Sequence, residues 1–181
     1  CTPEEAEAEL REAIGEYEAE ARHLDMRIGT HQRVAYGNVV AVGLSAGFVE
    51  PLEATGITFT TKTLEFLLQG LMETDGIWTD QCSNIINTKF LSMFYEIRDF
   101  IFMHYKLSNK DDTQFWKDVR NLEYPDTLQE RIKSFLPSPP NKLFDEKYSM
   151  FHSGQWFEML MGNDFYSDSV ALLPEEYQKY S

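Results

Sequence analysis

Only one stretch of this chain reads as a buried strand, Asn38-Val39-Val40-Ala41-Val42, and that limits the folds open to it. A single strand cannot form a sheet. Its partner must come from the Arg27–Tyr36 segment, where Arg27, Thr30, His31 and Arg33 alternate with Met26, Ile28 and Val34, or from sequence outside this chain. Everything downstream is patterned for helices. Ile57, Thr60, Thr61, Leu64, Leu67, Leu68 and Leu71 predict an amphipathic helix that ends around Gly76 and Trp78. Thr79 or Asp80 then opens a long helix to about Tyr105, whose stripe is Ile86, Phe90, Phe94, Ile97, Ile101 and Tyr105. Short helices are expected over Asp112–Leu122, with Pro125 placed for the first turn of another over Asp126–Leu136. Pro137-Ser138-Pro139-Pro140 breaks the pattern before further helices at Gly154–Met161 and Pro174–Tyr180. At the other end, Thr2, Pro3 and Glu5 have capping-box spacing for an exposed, glutamate-rich helix reaching about Leu24. The expected class is mainly α with a small β contribution.

Charge and cysteine usage narrow the functions. The 181 residues hold 30 acidic and 16 basic side chains, a net charge of −14, which disfavours nucleic acid and anionic membrane as partners. No apolar run approaches the roughly 20 residues of a membrane span and no signal peptide is visible, so a cytoplasmic location is expected. Cys1 and Cys82 have no zinc spacing, nor do His23 and His31, so no metal site is expected. The Cys1 start suggests a fragment, a processed chain or an incomplete reading frame.

Chemistry concentrates between the strand and the first long helix. Gly43-Leu44-Ser45-Ala46-Gly47-Phe48-Val49-Glu50-Pro51-Leu52-Glu53-Ala54-Thr55-Gly56-Ile57 packs glycines, a proline and two carboxylates into one connection. Amide N–H groups at a helix start have no intrahelical partners and lie at the positive end of the helix dipole. If the helix starts near Thr55, the amides of Thr55 and Gly56 can hold an anion, and Glu53 just before them can act as general acid or base. The same residues also suit a plain glycine-rich turn in which Glu50 and Glu53 are solvated or cap the helix. No P-loop or Gly-x-Gly-x-x-Gly fingerprint occurs, and Ser45 lacks a Gly-x-Ser-x-Gly context. Arg98 and Asp99 are expected to form a structural ion pair with a neighbouring element, and His104 to be packed or surface-exposed rather than catalytic.

The Gly43–Ile57 stretch resembles the signature of the flavin-dependent tryptophan halogenases. Ile97-Arg98-Asp99-Phe100-Ile101-Phe102-Met103-His104-Tyr105 is similar to that family's long helix, and Phe115-Trp116 and Pro125-Asp126-Thr127-Leu128 follow in its order. The resemblance runs from about residue 4 to about residue 162. It implies the C-terminal part of an α+β FAD-dependent monooxygenase-like fold. Residues 1–56 would end the FAD-binding module and residues 57–181 would form a helical substrate-side domain. It further implies an oxidoreductase in which reduced FAD and oxygen give a flavin hydroperoxide that a halide attacks. The resulting hypohalous acid halogenates an electron-rich aromatic small molecule of indole or phenol type.

By the same resemblance, Glu53 is the catalytic carboxylate, working with a lysine from the other half of the protein. The Thr55 and Gly56 amides bind halide, Gly43, Ala46, Gly47 and Phe48 lie along the flavin, and Phe151 and Trp156 wall the substrate pocket. In that pocket segment Tyr148, His152 and Phe157 join them. An aromatic cluster of this kind is more often core than pocket. The implied partners are an N-terminal FAD-binding portion, a flavin reductase that supplies reduced flavin, and a second copy in a homodimer.

Departures are equally specific. Ala54 stands where the family commonly has Ser, and the dinucleotide fingerprint, the Trp-x-Trp-x-Ile-Pro motif and the lysine's segment are absent from this chain. The chain alone is therefore expected to hold FAD weakly and to be inactive. Two other readings stay open: a non-catalytic helical binding or structural module derived from the fold, and a related flavin hydroxylase.

Overall fold

A computed structural model describes residues 2–135 and 149–165. The elements run α1 (Pro3–Ile14), β1 (Gly29–Thr30), β2 (Ala35–Tyr36), β3 (Val39–Val40), a 3-10 turn (Gly43–Ser45), β4 (Gly47–Phe48), α2 (Gly56–Glu73), α3 (Asp80–Lys106), α4 (Gln114–Asn121), α5 (Asp126–Phe135) and α6 (Ser153–Gly162). The Pro137–Pro140 breaker, the Pro174–Tyr180 helix, Tyr148 and Cys1 fall outside the described residues. The architecture is mainly helical, as expected.

The centre is α3. Thr79 opens it by accepting the Cys82 amide at 3.2 Å. Because Ile86, Phe90, Met93, Phe94, Ile97, Phe100, Ile101 and Met103 are all buried, the helix is covered on more than one side. On α2, Phe59, Thr63, Phe66 and Gly70 face it, and the Phe59 ring lies 4.7 Å from that of Phe90. Phe151 stacks on Phe100 at 3.8 Å between centroids, and Trp156 of α6 meets the same ring edge-on at 4.8 Å. Val34, Ala35 and Ala46 join this cluster, so the strand-bearing segment and the helices share one core.

The β structure is smaller than expected. The strand drawn over Asn38–Val42 shrinks to Val39–Val40, and Val39 is 65% exposed. Its partner does lie in the Arg27–Tyr36 segment: β2 and β3 run antiparallel, with Ala35 opposite Val40 and Tyr36 opposite Val39. A second antiparallel pair joins β1 to β4 through Gly29 with Phe48 and Thr30 with Gly47. A Cβ at Gly47 would sit 2.8 Å from the Thr30 hydroxyl, so this pairing requires glycine there.

Helix α1 is also shorter, ending at Ile14 because Gly15 takes the left-handed conformation at φ 69°. The capping box is present, but no residue of α1 is buried. Without an apolar face against the core, nothing carries the helix past its glycine stop.

Besides the packing of Val34 and Ala35, one polar side chain of α3 ties the small hairpin to the helix. Asn87 is buried, its Oδ1 accepts the Val34 and Ala35 amides at 2.8 and 2.9 Å, and its Nδ2 donates to the Ala35 carbonyl at 3.0 Å. It thus serves as a piece of strand edge on a helix. At the far end of α3, Tyr105 donates to both Glu50 oxygens at 2.7 and 2.9 Å. Burial and the Glu50 carboxylate push its phenol up to about 12, from an ordinary 10.

Asn87→Ala strands three backbone groups and is expected to cost about 2–4 kcal/mol in urea unfolding. A loss below that of an exposed substitution would show that the hairpin is held by other means. Tyr105→Phe should remove the highest-pH transition from a 295 nm tyrosinate titration. Since folding raises this pKa, its stabilising contribution is intact below pH 10 and fades as pH rises through about 12.

Candidate functional site

The loop from Gly43 to Ile57 is shaped by three local devices. Gly43, at φ 64°, starts the 3-10 turn, which Ser45 closes by donating to the Val42 carbonyl at 2.8 Å and accepting the Val42 amide at 3.1 Å. Pro51 then begins a turn in which the Ala54 amide donates to the Pro51 carbonyl at 2.8 Å. Ala54 sits at φ 50°, a left-handed conformation uncommon for a residue with a side chain. That reversal aims the chain into α2, and the Phe59 amide closes the first turn on the Thr55 carbonyl at 2.8 Å. Thr55 stands at the N-cap, yet its side chain makes no capping bond, so the opening amides of α2 have no side-chain acceptor from the cap.

Those amides border an open cavity of about 440 Å³ whose lining includes Gly43, Gly47, Phe48, Val49, Thr55 and Gly56. Leu44 and Ile57 edge it and are 76% and 83% exposed. Ala46, fully buried, lies in the core and outside the lining. A Cβ at Gly56 would meet no atom within 4 Å, whereas one at Gly43 would come 3.4 Å from the Thr60 hydroxyl. A flat apolar ring with an anion at the α2 start fits these residues: they offer apolar walls, glycine backbone and uncapped amides. The charged residue in the lining, Glu50, is tied to Tyr105. The cavity therefore suits the ring portion of a flavin and supplies no cation for a pyrophosphate.

Glu53 does not line this cavity. Its Oε1 meets Nε2 of His104 at 2.8 Å, with both side chains about a third exposed, at 27% and 31%. The other His104 nitrogen, Nδ1, donates to the Phe100 carbonyl at 2.9 Å, one helical turn back. The loop consequently lines the cavity with Thr55 and Gly56 and turns the Glu53 carboxylate to the C-terminal turn of α3.

Phe151 and Trp156 occupy a different place from the cavity. They are 4% and 2% exposed and pack around Phe100, whose ring also stands 5.0 Å from that of His104. They thus back the Glu53–His104 pair through one intervening ring. Arg98 and Asp99 pair with each other at 2.6 Å, and Thr127 of α5 donates to the second Asp99 oxygen at 2.6 Å.

The pairing of His104 with Glu53 is the contact that the sequence did not reveal. The two lie 51 positions apart, and the only local signal was a histidine four residues after Phe100, a spacing that lets Nδ1 reach that carbonyl. Among the described residues, no group of three or more His, Cys, Asp or Glu could hold a metal ion, and no helix is long and apolar enough to cross a membrane.

Known proteins share this arrangement of sequence and fold. Tryptophan 6-halogenase SttH of Streptomyces toxytricini is 40% identical over 143 residues, covering 78% of this chain and 27% of that protein. Tryptophan 7-halogenase RebH of Lentzea aerocolonigenes is 34% identical over 134 residues, covering 68% of this chain and 25% of that protein. The crystal structure of SttH matches with a TM-score of 0.76 at 34% identity, over 89% of this chain and 32% of the SttH chain. BrvH, a flavin-dependent halogenase from Brevundimonas sp. BAL3, matches with the same TM-score of 0.76 at 29% identity, over 97% of this chain and 34% of its own. The chain thus spans about a quarter to a third of the length of these relatives. The family model described as tryptophan halogenase matches residues 1–177, and the chain belongs to that family.

Proposed function

We propose that this chain is the C-terminal part of an FAD-dependent halogenase acting on an electron-rich aromatic of indole or phenol type. The observation that carries the reading is the uncapped start of α2 beside an apolar cavity, with the Glu53 carboxylate three residues upstream turned away from it. Residues 1–56 close the flavin side, residues 57–181 the substrate side, and the loop belongs to both. The similarity to flavin-dependent halogenases such as BrvH supports this assignment.

Reduced FAD, delivered by a flavin reductase and met by oxygen, supplies the oxidising equivalent when bound. The chain's own residues do the rest. Gly43, Gly47 and Phe48 provide a surface for the ring system, with Ala46 packed behind them to keep the loop in place. The amides of Thr55 and Gly56, at the positive end of the α2 dipole, hold the halide. Glu53 meets the aromatic substrate and takes the proton that leaves the ring carbon as that carbon gains halogen from hypohalous acid, whose oxygen–halogen bond breaks and whose oxygen leaves as hydroxide. The C–H electron pair then returns to the ring, and the proton ends on the carboxylate.

In the full-length protein carrying this chain, Glu53→Gln is expected to lower halogenated product by about 100-fold or more while flavin reoxidation continues. Unchanged product yield, read by mass spectrometry with bromide present, would reject the role of Glu53. The same mass reading separates halogenation from hydroxylation. Gly56→Ala is a sharper probe of the halide site, because its Cβ enters open space and the fold can accept it. Halide KM should rise by about tenfold with thermal stability kept or slightly raised. An unchanged halide KM would remove these amides from halide binding.

A further inference from the structure

Resting on the reading of Glu53 as the substrate-facing carboxylate, we propose that His104 is the positioning residue of this reaction. It fixes Oε1 of Glu53 and leaves Oε2 as the oxygen that meets substrate.

The assignment of hydrogens follows from the partners. The Phe100 carbonyl can only accept, so His104 Nδ1 carries a hydrogen and donates it at 2.9 Å. Nε2 then lies 2.8 Å from Glu53 Oε1, and with the ring protonated there the two groups form an ion pair. Oε1 is thus held close to a ring that cannot rotate without breaking its bond to the α3 backbone. The Phe100 ring, 5.0 Å away and edge-on, restricts the imidazole further. Oε2 has no hydrogen-bond partner among the described residues.

A glutamate on an irregular loop would otherwise sample several rotamers, and each would place its oxygens differently relative to a substrate carbon. Anchoring one oxygen to the longest helix of the fold removes that spread before substrate arrives. When Oε2 takes the ring proton, the bond formed is O–H and the bond broken is C–H. With Glu53 a carboxylate and His104 an imidazolium beforehand, His104 neither gains nor loses a proton in that step.

Three variants of the full-length protein test this. His104→Phe keeps a ring against Phe100 and removes both nitrogens, and His104→Gln keeps an N–H donor near the Nε2 position. Glu53→Gln serves as the reference. His104→Phe should lower kcat by about 10- to 100-fold while the KM for the aromatic substrate stays within about twofold, and His104→Gln should recover most of the rate. Imidazole nitrogen NMR adds a readout independent of turnover and of the folding of His104→Phe. In Glu53→Gln the His104 Nε2 resonance should shift while Nδ1 keeps its hydrogen-bonded position. Parental kcat in His104→Phe beside an inactive Glu53→Gln would overturn the inference and leave the Glu53 assignment standing. An Nε2 resonance indifferent to Glu53→Gln would also overturn it. An active Glu53→Gln would sink both.

Discussion

A helix spends its backbone hydrogen bonds on itself, so non-helical segments can join it only through side chains. Everything in this fold depends on how α3 meets that constraint. Asn87 holds the hairpin. Glu96, 5% exposed, takes in the Ser149 hydroxyl and the amides of Met150 at 2.9 Å and Phe151 at 3.4 Å. Asp99, 1% exposed, binds Arg98 and Thr127, and Lys106 donates to the carbonyls of Arg120 and Leu122 that end α4. Two of these groups are buried carboxylates, which are costly unless fully met by donors. Here each has several. A hydrophobic core alone would collect these segments; the polar side chains set where each one lands.

The loop from Gly43 to Ile57 is fixed by the same means. Tyr105 and His104, adjacent on the last turns of α3, reach Glu50 and Glu53 of one loop. Two carboxylates three residues apart are thereby bound to neighbouring positions on a single rigid element. The turn from Pro51 to Ala54 has little freedom left, and the direction of α2 follows from it.

How much of this was legible depended on sequence distance. The stripes of α2 and α3 repeat every three or four residues, so a window reveals them; α3 matches the expected helix to within a residue, and α2 starts one residue early and stops at Glu73, ahead of Gly76. The start of α2 and its free amides were readable for the same reason. The strand is overdrawn in sequence because the four apolar residues Val39 to Val42 look alike, while pairing with only two opposite residues ends the ladder. Helix α1 was overdrawn because an acidic, alanine-bearing run has helical propensity whether or not a core receives it, and Gly15 decides the matter. Phe151 and Trp156 show the opposite limit: their aromatic character was plain, but a sequence does not separate a wall from the layer behind it. The Glu53–His104 contact spans 51 positions and leaves no periodic trace.

The left-handed backbone at Ala54 bears on which side chains this position can hold. At φ 50° a β-branched or bulky residue would clash with its own main chain, so the turn admits only residues that tolerate that torsion. An exchange between alanine and serine here keeps the small size and changes only a hydroxyl. Position 54 is thus restricted by backbone geometry before side-chain chemistry enters, and a loop that reverses direction between Glu53 and the start of α2 can exchange one small residue there for another without changing its shape.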